Sequence, residues 1–167
     1  MANALPQALG ALAADPSRQA IALAGDGGLA MLLGELLTAV QLHLPVKIVV
    51  YDNASLNFVE LEMKAGGIVN FGTGLDNPDF SKIAEAVGVR GFRVETSDAL
   101  PAAMDEFLAH DGPALLDVVV ERQELSMPPS IAPAQMKGFA LYAIRSVLSG
   151  RGDELIDLAK ANARQLL

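Results

Sequence analysis

The amino-acid sequence predicts an α/β fold, a doubly wound parallel β-sheet with helices on both faces. Short apolar runs alternate with helical stretches along the chain, which is the pattern of consecutive β-α-β units. The composition agrees, because 51% of the residues are hydrophobic and only 19% are charged, as expected for strands buried on both faces. At 167 residues, the chain has the length of one domain.

The first half of the sequence predicts two helices and two strands. An alanine- and leucine-rich helix over 8–14 ends before Pro16, because proline disfavours helix in the residue that precedes it. Residues 19–24 form a short apolar strand, and residues 29–42 form a helix after a glycine-rich turn. Residues 46–51 are largely β-branched and predict the second strand.

The second half continues this alternation. Its predicted elements are a loop over 66–78, a helix over 80–87, a strand over 91–94, a helix to about 109, a strand over 114–120, a link over 127–133 and helices over 134–148 and from 153 onward. Asp79 is the expected N-cap of the first of these helices, because its side chain can accept a hydrogen bond from the first helical turn.

The composition excludes several classes of protein. The net charge of −8 comes without a basic cluster, so the electrostatic footprint of a nucleic-acid binder is missing. The chain contains no cysteine, which rules out disulfides and thiolate metal sites and agrees with a cytoplasmic protein. Because no apolar run reaches the ~18 residues needed to span a bilayer, we do not expect an integral membrane protein.

Polar residues follow two predicted strands at the point where each strand ends. Residues 25–28 are Gly-Asp-Gly-Gly, and Asp52 and Asn53 follow the next strand. Ligands of open parallel sheets bind beyond the carboxyl ends of strands, and glycine N–H groups can approach an anion there. A carboxylate beside a phosphate needs a cation between them, so Asp26 indicates Mg²⁺, with Asn53 as a second oxygen ligand. Taken singly, each segment is also an ordinary turn.

Together, the Gly-Asp-Gly triplet and Asn53 resemble the diphosphate and Mg²⁺ motif of thiamine-diphosphate enzymes, which usually ends in Asn-Asn. The resemblance implies that Asp26 and Asn53 bind Mg²⁺ through their side chains and Ser55 through its backbone carbonyl. Asp52 departs from the motif, since it replaces the first asparagine. The cofactor-binding residues implied by the resemblance are Met1, Asp26, Gly27, Gly28, Asn53, Ala54, Ser55, Leu56, Asn57, Phe58 and Val59.

A narrower resemblance covers essentially the whole chain. Phe58, Val59 and Glu62 lie in a pattern that is similar to the C-terminal third of the flavin-dependent pyruvate oxidases, the pyruvate dehydrogenases (quinone). The other matching segments are 46–50, 62–67, 137–142 and 149–154. The resemblance implies that Phe58 lies between the thiamine adduct and the flavin, Val59 forms a wall of the pyruvate pocket, and Glu62 is an acid beside the reacting carbon. Met1 would hold the cofactor in its bent shape, and Asn57 replaces the family's usual glycine. The structural alternative is that Phe58 and Val59 pack in a core and Glu62 is a solvated helix position.

The resemblance implies a longer parent enzyme that decarboxylates pyruvate oxidatively to acetate and CO₂ and passes electrons through FAD to a quinone. In this family the glutamate that activates the cofactor lies on an N-terminal domain of a neighbouring subunit, and a middle domain binds most of the FAD. Neither domain is expected within these 167 residues. We therefore expect a fragment of a tetrameric parent that is inactive alone.

The resemblance also divides the chain. Residues 1–122 correspond to the domain that binds thiamine diphosphate and Mg²⁺, and residues 123–167 to a C-terminal link and helices. An apolar stripe runs along 153–167, and the resemblance implies a regulatory, peripheral contact of this segment with the inner face of the cell membrane. The alternative is a helix packed on the domain or on the tetramer.

Three other functions stay open. Another thiamine-diphosphate enzyme, such as acetolactate synthase, would share Asp26 and Asn53 but not Phe58, Glu62 and the 137–154 block. A phosphatase or receiver-like domain would use Asp26 as a nucleophile, although no lysine follows a late strand to balance phosphoryl charge. The third is a non-catalytic binding module.

Overall fold

The structure is a computed structural model that describes residues 1–124 and 132–163. The chain forms two compact units. We call them the sheet unit, Met1–Ala54 and Asp76–Val120, and the helical unit, Ser55–Leu75 and Glu121–Leu167. The α-helices in chain order are α1 (Ala4–Ala14), α2 (Asp26–Ala30), α3 (Glu35–Gln41), α4 (Asn57–Ala65), α5 (Phe80–Ala86), α6 (Leu100–Ala109), α7 (Pro133–Leu148) and α8 (Gly152–Asn162).

The sheet is parallel throughout. Its strands are β1 (Ile21–Gly25), β2 (Lys47–Asp52), β3 (Arg90–Val94) and β4 (Ala114–Val119). They lie in the order β1-β2-β4-β3, and each neighbouring pair is parallel. This arrangement confirms the predicted doubly wound sheet, and it puts the carboxyl ends of β1 and β2 side by side.

Helices cover both faces of the sheet. Successive side chains of a strand point to opposite faces, and β2 follows this rule. Ile48 and Val50 belong to one buried cluster, together with Leu12 of α1. Val49 belongs to a second cluster, together with Phe107 of α6. The strand is buried on both faces, which explains why its sequence is almost continuously apolar.

The single helix predicted over 29–42 is wrong, and the N-cap predicted at Asp79 is confirmed. α2 and α3 replace the single helix expected over 29–42, because residues 31–34 form a turn. In this turn the N–H of Leu32 donates to the carbonyl of Leu29 at 3.0 Å, a tighter bond than the α-helical i to i+4 pattern. Asp79 caps α5 as predicted, since its side chain accepts the N–H of Lys82 at 3.2 Å.

In the helical unit, α4 and α7 approach each other through a glycine. A Cβ atom at Gly138 of α7 would lie 1.7 Å from the carbonyl oxygen of Ala65, the last residue of α4. Gly67 turns the chain after α4 with a φ of 76°, a conformation that favours glycine. Both positions therefore require glycine for the helices to pack as they do.

The two helices predicted at the C-terminal end are present over the residues that the structure describes. α7 and α8 confirm the helices predicted over 134–148 and from 153 onward. Residues 127–131 of the predicted link and residues 164–167 of the predicted membrane segment lie outside the described residues. Within the described ranges, none of the helices has the length and apolar character of a membrane span.

Candidate functional site

Two buried carboxylates lie at the carboxyl ends of neighbouring strands. Asp26 follows β1 and Asp52 ends β2, and the two residues are only 2% and 7% exposed. Gly25 of β1 pairs with Tyr51 of β2, so the parallel register brings both carboxylates to one edge of the sheet. This is the edge at which the sequence predicts a ligand.

Asn77 joins the two carboxylates. Its Nδ2 lies 2.7 Å from Asp26 Oδ2 and 2.7 Å from Asp52 Oδ1, so a single NH₂ group donates to both side chains. The other oxygen of Asp26, Oδ1, accepts the backbone N–H of Gly27 at 2.7 Å. Sequence reasoning missed Asn77 because it lies in a predicted loop, where asparagine before proline usually indicates only a turn.

Arg93 of β3 supplies positive charge near this edge. Its Nη1 lies 3.6 Å from Asp52 Oδ2 and also pairs with the fully buried Asp117, while its Nε donates to Glu95 at 2.9 Å. Burial raises the pKa of Asp117, although the charge and hydrogen bond of Arg93 act against this rise. One guanidinium faces several carboxylates, which leaves an acidic edge that suits a cation.

The chain takes an unusual backbone conformation next to Asn53, the second predicted metal ligand. Asn53 is half-buried directly after β2. Ala54 has a φ of 53°, a left-handed conformation that costs a non-glycine residue about 1–2 kcal/mol. Its N–H donates to Asp52 Oδ1 at 3.3 Å, which helps to hold the turn. Strain of this kind is common where a backbone is shaped for a ligand.

Met1 and Gly28, both predicted to contact the cofactor, lie beside each other. A Cβ atom at Gly28 would be 3.1 Å from the carbonyl oxygen of Met1, so glycine permits the close approach of the first residue to α2. The Met1 residue is 68% exposed. Gly27 is buried within α2. The sheet unit therefore gathers Met1, Asp26, Gly27 and Gly28 around the start of α2.

The remaining predicted cofactor residues belong to the helical unit. Ser55 is buried and donates through Oγ to Glu60 at 2.6 Å. The N–H of Leu56 donates to the carbonyl of Thr73 at 2.9 Å. Asn57 begins α4 and is not among the described residues with positive φ. The glycine usual in the resembling family is therefore not needed for this backbone.

The three predicted catalytic residues lie on α4. Phe58 is 73% exposed, Val59 is half-buried and Glu62 is exposed. The exposure of Phe58 excludes the alternative in which it packs in the core of this chain. Glu62 has the exposure that a solvated helix position would have. Their roles beside the cofactor stay predictions.

Glu60 is a buried carboxylate that sequence reasoning missed. It is 2% exposed, and its carboxylate accepts hydrogen bonds from Ser55 and Thr73 through Oε1, at 2.6 and 2.9 Å. Lys64 lies 3.4 Å from Oε2. Burial alone would raise the pKa of Glu60, but the hydrogen bonds and the charges of Lys64 and Arg122 outweigh it and lower the pKa. A glutamate and a lysine four residues apart are typical of an exposed helix face. The sequence therefore predicts solvent exposure for Glu60 and Lys64, whereas both residues are buried.

Glu60 also lines a polar cavity of about 360 Å³ within the helical unit. Arg122 and Arg151 line the same cavity. Asn70 donates to Glu60 Oε2 at 3.0 Å through Nδ2, whereas its buried Oδ1 has no partner among the described residues. Oε2 of Glu154, which also lines the cavity, is a second buried acceptor without a partner among the described residues. The cavity is thus lined by paired charges and two unmet acceptors, which is an environment for ordered water.

The described residues contain no cluster of three or more His, Cys, Asp or Glu side chains arranged to hold a metal ion. A metal at the sheet edge would therefore need other oxygen ligands besides Asp26 and Asp52. Amide, backbone and phosphate oxygens are of this kind.

Comparisons with known proteins point to one family. Residues 1–118 match the family model described as "Thiamine pyrophosphate enzyme, C-terminal TPP binding domain"; thiamine pyrophosphate and thiamine diphosphate are the same molecule. The "Putative thiamine pyrophosphate-containing protein YdaP" of Bacillus subtilis (strain 168) is 35% identical over 98% of this chain and 28% of its own length.

Relatives whose names give different activities resemble this chain to a similar degree. The mitochondrial acetolactate synthase catalytic subunit of Saccharomyces cerevisiae is 37% identical over 77% of this chain and 19% of its own length. Pyruvate oxidase of Lactiplantibacillus plantarum is 37% identical over 72% of this chain and 20% of its own. A thiamine diphosphate-dependent 4-hydroxybenzoylformate decarboxylase of Rhodococcus jostii RHA1 has a TM-score of 0.67 and 33% identity, over 72% of this chain and 23% of that one. The chain thus spans less than a third of the length of these proteins.

Proposed function

We propose, from the premise that this chain belongs to the thiamine pyrophosphate enzyme family and carries its C-terminal TPP binding domain, that the sheet edge around Asp26 binds the diphosphate of the cofactor through Mg²⁺. The observation that carries this proposal is the pair of buried carboxylates, Asp26 and Asp52, at the carboxyl ends of β1 and β2. Ligands of open parallel sheets bind at such ends.

The residues present fit Mg²⁺. The ion prefers hard oxygen ligands and usually takes one or two carboxylates together with phosphate oxygens and water. Asp26 offers a carboxylate, Asn53 an amide oxygen and Ser55 a backbone carbonyl, as the family motif implies. A diphosphate beside Asp26 and Asp52 would meet repulsion without a cation, so metal and cofactor should bind together.

Bound thiamine diphosphate would supply an electron sink for cleavage beside a carbonyl carbon. The residues of this chain would hold it and shape its surroundings. The short approach of Met1 to Gly28 puts the first residue beside α2, and the exposed ring of Phe58 is available to a partner molecule. In our proposal Met1 supports the bent cofactor, Val59 and Glu62 border the substrate, and Phe58 separates the thiamine from a flavin.

For the whole enzyme we propose oxidation of pyruvate to acetate and CO₂ with FAD and a quinone as acceptors, in a tetramer that contacts the cytoplasmic face of the membrane. Support comes from the motif at 58–62 and from similarity to a pyruvate oxidase. Acetolactate synthesis is the second candidate, because a yeast acetolactate synthase subunit is as similar. In the full-length enzyme, net reduction of FAD by pyruvate would favour the first candidate, and acetolactate formation without it the second.

Calorimetry on the 167-residue chain tests the binding proposal. Thiamine diphosphate should bind with Mg²⁺ and not without it, and Asp26→Asn should remove this binding. The matched control is Asp76→Asn, an exposed carboxylate on the segment that carries Asn77. Acetyl phosphate serves as the comparison for a receiver-like domain. Absence of thiamine diphosphate binding at millimolar Mg²⁺, or full binding by Asp26→Asn, would overturn the proposal.

A further inference from the structure

The side-chain amide of Asn77 has a position that the proposed function does not use. Its two N–H groups are directed to two different carboxylates, Asp26 Oδ2 and Asp52 Oδ1, each at 2.7 Å. A carboxamide carries both hydrogens on one nitrogen, so Asn77 can satisfy both acceptors at once. Alanine has no such group, and aspartate would add a third acceptor.

No other side chain in the described ranges donates to Asp26. Its Oδ1 accepts the N–H of Gly27, and Oδ2 accepts Asn77. Asp52 has additional neighbours, because the N–H of Ala54 lies 3.3 Å from Oδ1 and Arg93 lies 3.6 Å from Oδ2. The orientation of Asp26 therefore depends on Asn77 more strongly than that of Asp52 does.

We propose that Asn77 is a positioning residue for the metal site: it fixes the rotation of the Asp26 carboxylate and keeps Asp52 from repelling it, so that one edge of Asp26 is presented to Mg²⁺. The inference rests on the proposed function. Groups that hydrogen-bond to a metal-ligating carboxylate orient it, and their loss typically weakens metal affinity about 10- to 100-fold.

The competing explanation is that Asn77 only pins the chain between Leu75 and α5 to the sheet. A pin would affect folding, and it would leave the Mg²⁺ requirement unchanged in any variant that still folds. The Mg²⁺ concentration at which thiamine diphosphate binding is half-maximal therefore separates the two roles, provided that the melting temperature of the metal-free chain is measured in parallel.

The experiment compares the wild-type chain with Asn77→Ala, Asn77→Asp, Asp52→Asn and the double variant Asp52→Asn/Asn77→Asp. We expect Asn77→Ala to raise the half-saturating Mg²⁺ concentration about 10- to 100-fold, and Asn77→Asp to raise it at least as far. The double variant restores the original charge but leaves Asp26 without a donor at position 77, so we expect it to recover only the part of the Asn77→Asp loss that charge repulsion causes. Asp76→Asn is the control and should stay within about twofold of wild type.

Each outcome decides something. A folded Asn77→Ala variant with the wild-type Mg²⁺ requirement would overturn the positioning role while leaving the proposed function intact. If Asn77→Ala does not fold, Asn77→Ser, which keeps one donor, carries the test. A wild-type chain without Mg²⁺-dependent binding would instead remove the proposed function itself.

Discussion

The exposure of Phe58 distinguishes packing in the core of this chain from a position beside the cofactors. A phenylalanine packed in the core would cost about 3–5 kcal/mol when changed to alanine, but the residue is 73% exposed. We expect Phe58→Ala to change the free energy of unfolding of this chain by no more than about 0.5 kcal/mol, measured by urea denaturation. In the full-length enzyme the same change should lower the turnover number with little effect on KM, if the ring lies between thiamine and flavin.

A loss of several kcal/mol in the isolated chain would mean that Phe58 is buried in solution. An unchanged rate of FAD reduction by pyruvate, in a well-folded full-length variant, would contradict the electron-transfer role. The two measurements address separate claims, so either can fail alone.

Glu60 should stabilise the helical unit in a pH-dependent way. Its pKa is lowered in the folded chain, so its stabilising effect is present above the unfolded pKa of about 4.3 and is lost as the pH falls through the folded value. Glu60→Ala would leave Lys64 buried without its carboxylate partner, with only the neutral acceptor Gln123 Oε1 at 3.2 Å among its hydrogen-bond partners, and should cost about 3–5 kcal/mol.

Urea denaturation between pH 3 and 7 checks this expectation. The stability of the wild type should fall more steeply below pH 4.3 than that of Glu60→Gln, which cannot ionise. Glu62→Gln on the same helix is the matched control, because Glu62 is exposed. Parallel pH profiles for wild type and Glu60→Gln would show that the buried carboxylate does not contribute.

Among the elements, the cap of α5 is the one whose energetics follow most directly from the sequence. The Asp79 side chain accepts hydrogen bonds from Ser81 and from the N–H of Lys82, and these, led by the bond from Ser81, lower its pKa to about 2. Asp79→Ala should cost about 1 kcal/mol at neutral pH. Because the folded pKa is lowered, this contribution should vanish as the pH falls from about 4 toward 2.

Thermal melts of wild type and Asp79→Ala across that pH range give the measurement. The difference between the two melting temperatures should shrink with acidification. A difference that is undiminished at pH 2 would mean that the aspartate acts through something other than its charge. Asp79→Asn, which retains an acceptor oxygen, should lie between the two.

Sequence predicted the elements best where periodicity and capping agree. The strand over 46–51 is apolar on both faces, and Asp79 has the spacing of a cap, and both expectations are confirmed. The continuous helix over 29–42 was wrong because the hydrogen-bonded turn at 31–34 breaks an otherwise helical pattern. Asn77 could not be predicted, since its carboxylate partners are brought near only by tertiary structure. Glu60 could not be predicted because its spacing from Lys64 is also typical of an exposed helix face.

At the scale of the whole molecule, the chain is a part of an enzyme rather than a complete one, in our proposal. It spans 28% or less of the relatives described above. Large apolar side chains are exposed in each unit, among them Leu23 at 59% and Phe71 at 88%. Surfaces of this kind commonly contact other domains or subunits.

We therefore expect the purified chain to decarboxylate pyruvate no faster than free thiamine diphosphate with Mg²⁺. The group that activates the cofactor would lie on a different domain, so binding and turnover should separate. Trapping of released CO₂ at saturating cofactor, compared with a protein-free control, gives the measurement. Turnover well above that control would show that these 167 residues contain a complete active site.

The contact at Gly138 also determines which changes this sequence can tolerate over time. Any side chain there would meet the carbonyl oxygen of Ala65, so a single substitution would push α4 and α7 apart and could be accepted only together with changes on the other helix. In a library of all single substitutions, few variants at position 138 should fold. At the neighbouring position, Lys137 is exposed, and most substitutions there should be tolerated. Adjacent codons would then evolve at very different rates, and the difference would reflect a helix crossing rather than any role in chemistry.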